Sequence, residues 1–196
     1  MINIERDTSG RTYQIWKQTQ MNSCGIACMW MARSIARQTS FAEEEWGLAV
    51  RLFGAAVGAA AASIGVASSS GPMSLDPNAF ANNQQTMAAA IANFGFFSPQ
   101  LAAALRSDGL RVSNAGLDRR GRIVSHNIAI NRPGIALLQW RPGPGGHFVV
   151  VGRCTEGFVS FLDPWDGRVN EQRNNGTYNA RYGGTGQIVS VLNVSA

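Results

Sequence analysis

Hydrophobic positions change period partway along the chain. After Cys24 they recur at helical spacing, with Ile26, Ala27, Trp30, Met31 and Ile35 on one side of a predicted helix and the cap-type residues Asn22 and Ser23 immediately before it. Phe41 to Phe53 predicts a second helix, whose Glu43, Glu44 and Glu45 suit the positive end of a helix dipole. Gln84 to Phe94 predicts a third that ends at Gly95, and Ser98-Pro99 opens a short fourth that stops near Gly109. From Ile123 the pattern turns to strands. The runs 135–140, 147–152, 157–162 and 187–194 alternate or stay apolar between Gly and Pro punctuation, which suggests a mostly antiparallel sheet. The Asn/Gly-rich piece 170–186 is expected to be a loop or hairpin excursion. Helices first and sheet later is an α+β order, with a helical part over about 1–122 and a sheet part over about 123–196 of one domain.

Composition narrows the class without changing that picture. A chain of 196 residues, 45% hydrophobic and 15% charged, has enough apolar material for a core and is globular in type. The net charge of +5 comes from scattered arginines, the tightest group being Arg119, Arg120 and Arg122, and no aromatic platform interleaves them; nucleic-acid binding is not expected. Leu52 to Ala67 is an Ala/Gly-rich run of sixteen residues, short and weak for a membrane span of about 20, and reads as a closely packed helix or a flexible segment. The start of the chain has no basic segment followed by an apolar core, so no ordinary secretory signal is read. Three cysteines argue against a disulfide framework and fit synthesis in a reducing cytoplasm.

The chemistry gathers at Cys24. Only a thiolate attacks carbonyls well, and the first turn of a helix, with unpaired N–H groups and a positive dipole end, favours that form. Gln18, six residues earlier, can fold its amide back across the turn as an oxyanion donor beside the backbone N–H of Cys24, with Gln20 as the competing donor. His147 follows the turn Arg141-Pro-Gly-Pro-Gly-Gly146 and opens a strand, and Asp163 ends the next strand sixteen residues on. A hairpin turning near Glu156-Gly157 would bring both to one end, where Asp163 can hold the imidazole and His147 can move the thiol proton. Asp166 competes with Asp163, and His126, the other histidine, is the weaker base candidate. Cys28, one turn beyond Cys24, reads as packing. Two distant histidines and scattered cysteines give no metal-ligand spacing, and no cofactor is expected.

Gln at minus six from Cys24, His147-Phe-Val-Val-Val-Gly152 after a glycine, and Asp163-Pro-Trp165 resemble the papain-like cysteine peptidases. Ser23-Cys-Gly-Ile-Ala-Cys28 with Asp163-Pro164 is closest to the bacterial C39-like branch, which includes double-glycine leader peptidases, and to papain-like bacterial effector and toxin proteases. The motifs cover about thirty residues, and 40 to 130 align with nothing. The resemblance implies a papain-like fold, Cys24 as nucleophile, His147 as base, Asp163 as its orienting partner, and Trp165 as the ring that shields that partner. It implies a cysteine peptidase acting on a protein or peptide. A thiol protease without pro-segment or signal peptide needs selectivity, restraint or delivery elsewhere. Effectors meet that need by signal-peptide-independent export and a cognate inhibitor or immunity protein. The same residues would also serve a glutamine deamidase or transglutaminase, and the non-enzymatic alternative is a binding module that keeps the fold.

Overall fold

A computed structural model describes residues 1–18, 23–40, 98–142 and 145–196. The helices expected at 41–53 and 84–94 and the Ala/Gly-rich run lie outside the described residues. No helix among the described residues is long and apolar enough to cross a membrane.

The chain opens with a hairpin of β1 (Ile2–Arg6) and β2 (Thr12–Trp16). Its turn is set by Asp7, whose carboxylate accepts the N–H groups of Ser9 at 3.0 Å and Arg11 at 2.9 Å, the pattern by which Asp competes for backbone donors. Tyr13 and Ile15 alternate inward along β2. Helix α1 (Cys24–Arg37) then buries Ile26, Ala27, Trp30 and Met31, and Trp16 meets Trp30 edge-on with centroids 5.2 Å apart. It stops where Gln38 turns to φ 54° and the N–H groups of Gln38 and Thr39 close back on Ile35 and Ser34. Helix α2 (Ser98–Ser107) sets Leu101, Ala104 and Leu105 in the same core as α1, and Arg33 reaches Asp108 at 2.6 Å.

The remaining strands are β3 (Arg111–Asn114), β4 (Gly134–Arg141), β5 (Gly146–Cys154), β6 (Phe158–Asp163), β7 (Arg168–Arg173), β8 (Thr177–Asn179) and β9 (Thr185–Ser195). They pair antiparallel in the order β3-β9-β4-β5-β6-β7, with β8 added to β9. The long β9 has room for β3 at its end and β8 at its start. Both faces of the central strands are covered. Phe148 and Val150 join Ile135 and Leu162 under α1, while Val149 and Val151 join Ala136, Phe161, Ile188 and Tyr178 in a second cluster. That two-sided burial is why β5 reads as a continuous apolar run and does not alternate. Each fully buried large side chain contributes about 1.5–3 kcal/mol.

The fold is α+β, with the cysteine helix in the N-terminal part packed on an antiparallel sheet that carries His147 and Asp163. The described part of the first 122 residues is not helical throughout. It contains the β1–β2 hairpin, and β3 joins the main sheet through β9. Of the two readings of 170–186, the hairpin excursion is the one found: the segment holds the end of β7, all of β8 and the start of β9, with which β8 pairs. These strands are short and mostly polar, so they lack an apolar pattern; β1, β7 and β8 pair across short turns with β2, β6 and β9, and of the strands named here β3 alone relies on a distant partner.

Candidate active site

The site is built at one end of the β5–β6 hairpin. Val150 faces Leu162 and Cys154 faces Val159, with an irregularity at Gly152, so the second residue of β5 and the last residue of β6 share an end. His147 Nε2 lies 2.8 Å from Asp163 Oδ1. His147 is 4% exposed and Asp163 is fully buried. A buried carboxylate is tolerated only when its oxygens are hydrogen-bonded, and these are. Oδ1 also accepts the Trp165 N–H at 2.8 Å, and Oδ2 accepts the Tyr178 hydroxyl. An ionised Asp163 can only accept, so Nε2 of His147 carries a proton and Nδ1 is the ring nitrogen free to exchange one.

Cys24 is the first residue of α1 and packs partly buried against the core. Its thiol is near enough to the His147 imidazole to favour the protonated ring as a hydrogen-bonding and charged neighbour. Burial alone would lower the proton affinity of His147; the hydrogen bonds to Asp163 and Cys24 and their negative charges outweigh it and push the pKa up to about 9. The first intrahelical bond runs from the Ala27 N–H to the Ser23 carbonyl at 3.0 Å. The N–H groups of Cys24, Gly25 and Ile26 therefore have no intrahelical acceptor and form the anion-favouring end of the helix. Ser23 occupies the cap position but makes no side-chain cap hydrogen bond, contrary to its cap-type reading. Asn22 lies outside the described residues.

Gln18 arrives at the same place from β2. Its N–H donates to the Pro164 carbonyl at 2.7 Å, which sets it one residue from Asp163, and it is 8% exposed. Gln20 lies outside the described residues. The remaining candidates are placed apart from the imidazole. Asp166 accepts the Arg168 N–H at 2.9 Å in the turn after β6, and burial and the charge of Asp163 raise its pKa. His126 is exposed on a short 3₁₀ turn, Ser125–Asn127. Cys28 is buried, and burial and the charges of Cys24 and Asp163 push its thiol well up. Burial also pushes the half-buried Cys154 up to about 12.

Three aromatic residues at the site were not read from the sequence. Trp140, near the end of β4, stacks on the His147 ring with centroids 5.8 Å apart and planes 17° apart. Trp165, expected from the sequence, lies against Tyr182, centroids 5.6 Å apart, and is 39% exposed. Tyr178 and Tyr182 complete the group, both against Trp140. A signal for Trp140 did exist. Pairing the strand 135–140 with the His147 strand sets Leu138 opposite His147, so Trp140, two residues on, shares its face and sits diagonally across from it.

A thiol at a helix N-terminus, beside an imidazole that a buried carboxylate holds by Nε2, defines a candidate Cys–His–Asp site on an α+β fold. No protein-family model matches the chain, and no curated protein matches it. Among solved structures, the Pseudomonas avirulence protein AvrPphB is similar at a TM-score of 0.39 and 12% identity, over 94% of this chain and 98% of that one. A likeness at this level carries no argument about activity, so the functional reading rests on the geometry of the site.

Proposed function

We propose that this chain is a cysteine peptidase of the papain-like type. The observation that carries the reading is the buried His147–Asp163 pair, 2.8 Å apart, with the Cys24 thiol beside the imidazole at the first turn of α1. In the proposed reaction Cys24 Sγ gives its proton to His147 Nδ1 and attacks the peptide carbonyl carbon. Negative charge develops on the carbonyl oxygen, where the Cys24 N–H and the Gln18 side-chain amide are the proposed donors. Collapse breaks the C–N bond, and the leaving amine takes the proton from His147. His147 then accepts a proton from water as that water attacks the thioester, which releases the acid and restores the thiol. Asp163 holds the ring so that Nδ1 faces Cys24 throughout.

The setting proposed with this activity is that of a bacterial effector or toxin, with a protein substrate, a cognate inhibitor and delivery by a signal-peptide-independent route. The test is to expose denatured bacterial and eukaryotic proteomes to wild type and Cys24→Ala and read new peptide termini by mass spectrometry. Termini that appear only with wild type are expected. A gain of about one mass unit at glutamines without new termini would replace peptidase by deamidase, and no change of either kind would contradict the reading.

A further inference from the structure

We propose that Tyr178, with Asn170 behind it, is a positioning residue of the Cys24–His147–Asp163 site: its hydroxyl donates to Asp163 Oδ2 and keeps that buried carboxylate oriented. Tyr178 is itself fully buried, packed edge-on against Phe161 with centroids 5.1 Å apart. The Asn170 Nδ2 group donates to the Tyr178 oxygen at 3.3 Å and to the Asn179 carbonyl at 2.9 Å. An amide nitrogen can only donate, so the phenol oxygen must accept there, and the phenol hydrogen is left for Asp163. The direction of the chain is therefore fixed: Asn170 to Tyr178 to Asp163, which accepts from His147 on its other oxygen.

The arrangement answers a specific cost. Asp163 has two buried oxygens and two donors on Oδ1, His147 and the Trp165 N–H. Without the Tyr178 phenol, Oδ2 would lose its fully buried donor and only the more exposed Tyr182 hydroxyl would be left beside this carboxylate; hydrogen bonds to charged groups are the stronger kind. A carboxylate in that condition takes up a proton more readily, and it then loses its hold on the ring. Tyr178 acts through Asp163, not on substrate. Burial and the charge of Asp163 raise the pKa of Tyr178, so the phenol keeps its proton for this bond. The other titratable groups around it are Cys24 on α1, His147 on β5, Asp166 after β6, and Tyr182 before β9. Burial, the charge of Asp163 and a hydrogen bond to it act on Tyr182, with the charges of Asp166 and Cys24 adding to them, and Arg168 and Arg181 act on Asp166.

The catalytic consequence rests on the peptidase reading, but the hydrogen-bond role can be tested without turnover. Isotope-labelled full chain is titrated by NMR, following the Asp163 carboxyl carbon and the His147 ring nitrogens in wild type, Tyr178→Phe and Asn170→Ala. Phenylalanine keeps the ring against Phe161 and Trp140. Loss of the phenol destabilises every state with an ionised Asp163, most of all where His147 is neutral. Both midpoints should therefore rise, by about one pH unit. Asn170→Ala should move them the same way by less, since Gln172 still serves the Asn179 carbonyl, and it carries the test alone if Tyr178→Phe does not fold. Unmoved midpoints in a folded variant would overturn the proposal. Moved midpoints in a protein whose Cys24 is no more reactive than Cys28 or Cys154 would keep the role of Tyr178 and remove the peptidase reading.

Discussion

At the scale of single residues, the account divides labour among side chains that the chain brings from far apart. Cys24→Ala removes the nucleophile and should abolish turnover with the fold intact, as read by new peptide termini and thermal melting. Gln18→Ala should cost about 10²–10³-fold in kcat if its amide is an oxyanion donor, with KM little changed, because the oxyanion exists only past the ground state. A large rise in KM alone would place Gln18 in substrate binding instead. His147 also links stability to pH. Its pKa is raised from 6.5 to about 9, so the folded protein holds this proton more tightly than the unfolded chain does. That contribution is fully present below about pH 6.5 and is lost as pH rises through about 9. Melting of wild type should fall across this window relative to His147→Gln. Parallel curves would show that the imidazolium is not stabilised in the fold.

At the scale of elements, what the sequence made legible and what it hid follow one rule. The Cys24 helix and the strands at 135–140, 147–152, 157–162 and 187–194 carry strong apolar periodicity, and the structure has an element over each. The strand bounds move by one or two residues at the ends. β1, β7 and β8 were hidden, since Ile2 and Ile4 face outward and the other two strands are largely polar. Each pairs across a short turn with its neighbour in the chain, β2, β6 or β9, so it is the polar composition and not a distant partner that hides them. The β1–β2 hairpin matters to function because Gln18 follows it directly. It docks through Tyr13 onto Gly152, where a Cβ would fall 2.7 Å from the Tyr13 ring. The Arg11 guanidinium adds a bond to the Gly152 carbonyl at 3.1 Å. Gly152→Val should therefore lower stability by about 1–3 kcal/mol in denaturant melts. It should also lower kcat through Gln18 while His147 and Asp163 stay paired. Unchanged stability would mean that the hairpin is not held at this point.

At the scale of the whole molecule, a thiol on a helix end meets a pair on a hairpin end only because α1 packs across the sheet, with Phe148 and Val150 of the strand that begins at His147 beneath it. The sequence offered the pair through spacing, Gly punctuation and strand alternation. It offered neither Trp140 over the imidazole nor Tyr178 behind Asp163, because both depend on which strands become neighbours. The central claim is that this assembly makes Cys24 a working nucleophile. The most direct test is intact-mass labelling of the native protein with limiting iodoacetamide, followed by peptide mapping, in wild type and His147→Ala. Cys28 is buried and Cys154 is pushed up to about 12, so neither should compete. The account predicts fast modification of Cys24 alone, slowed about tenfold or more when His147 is removed. Labelling of Cys24 at the rate of the other two cysteines, or at a rate indifferent to His147, would contradict it.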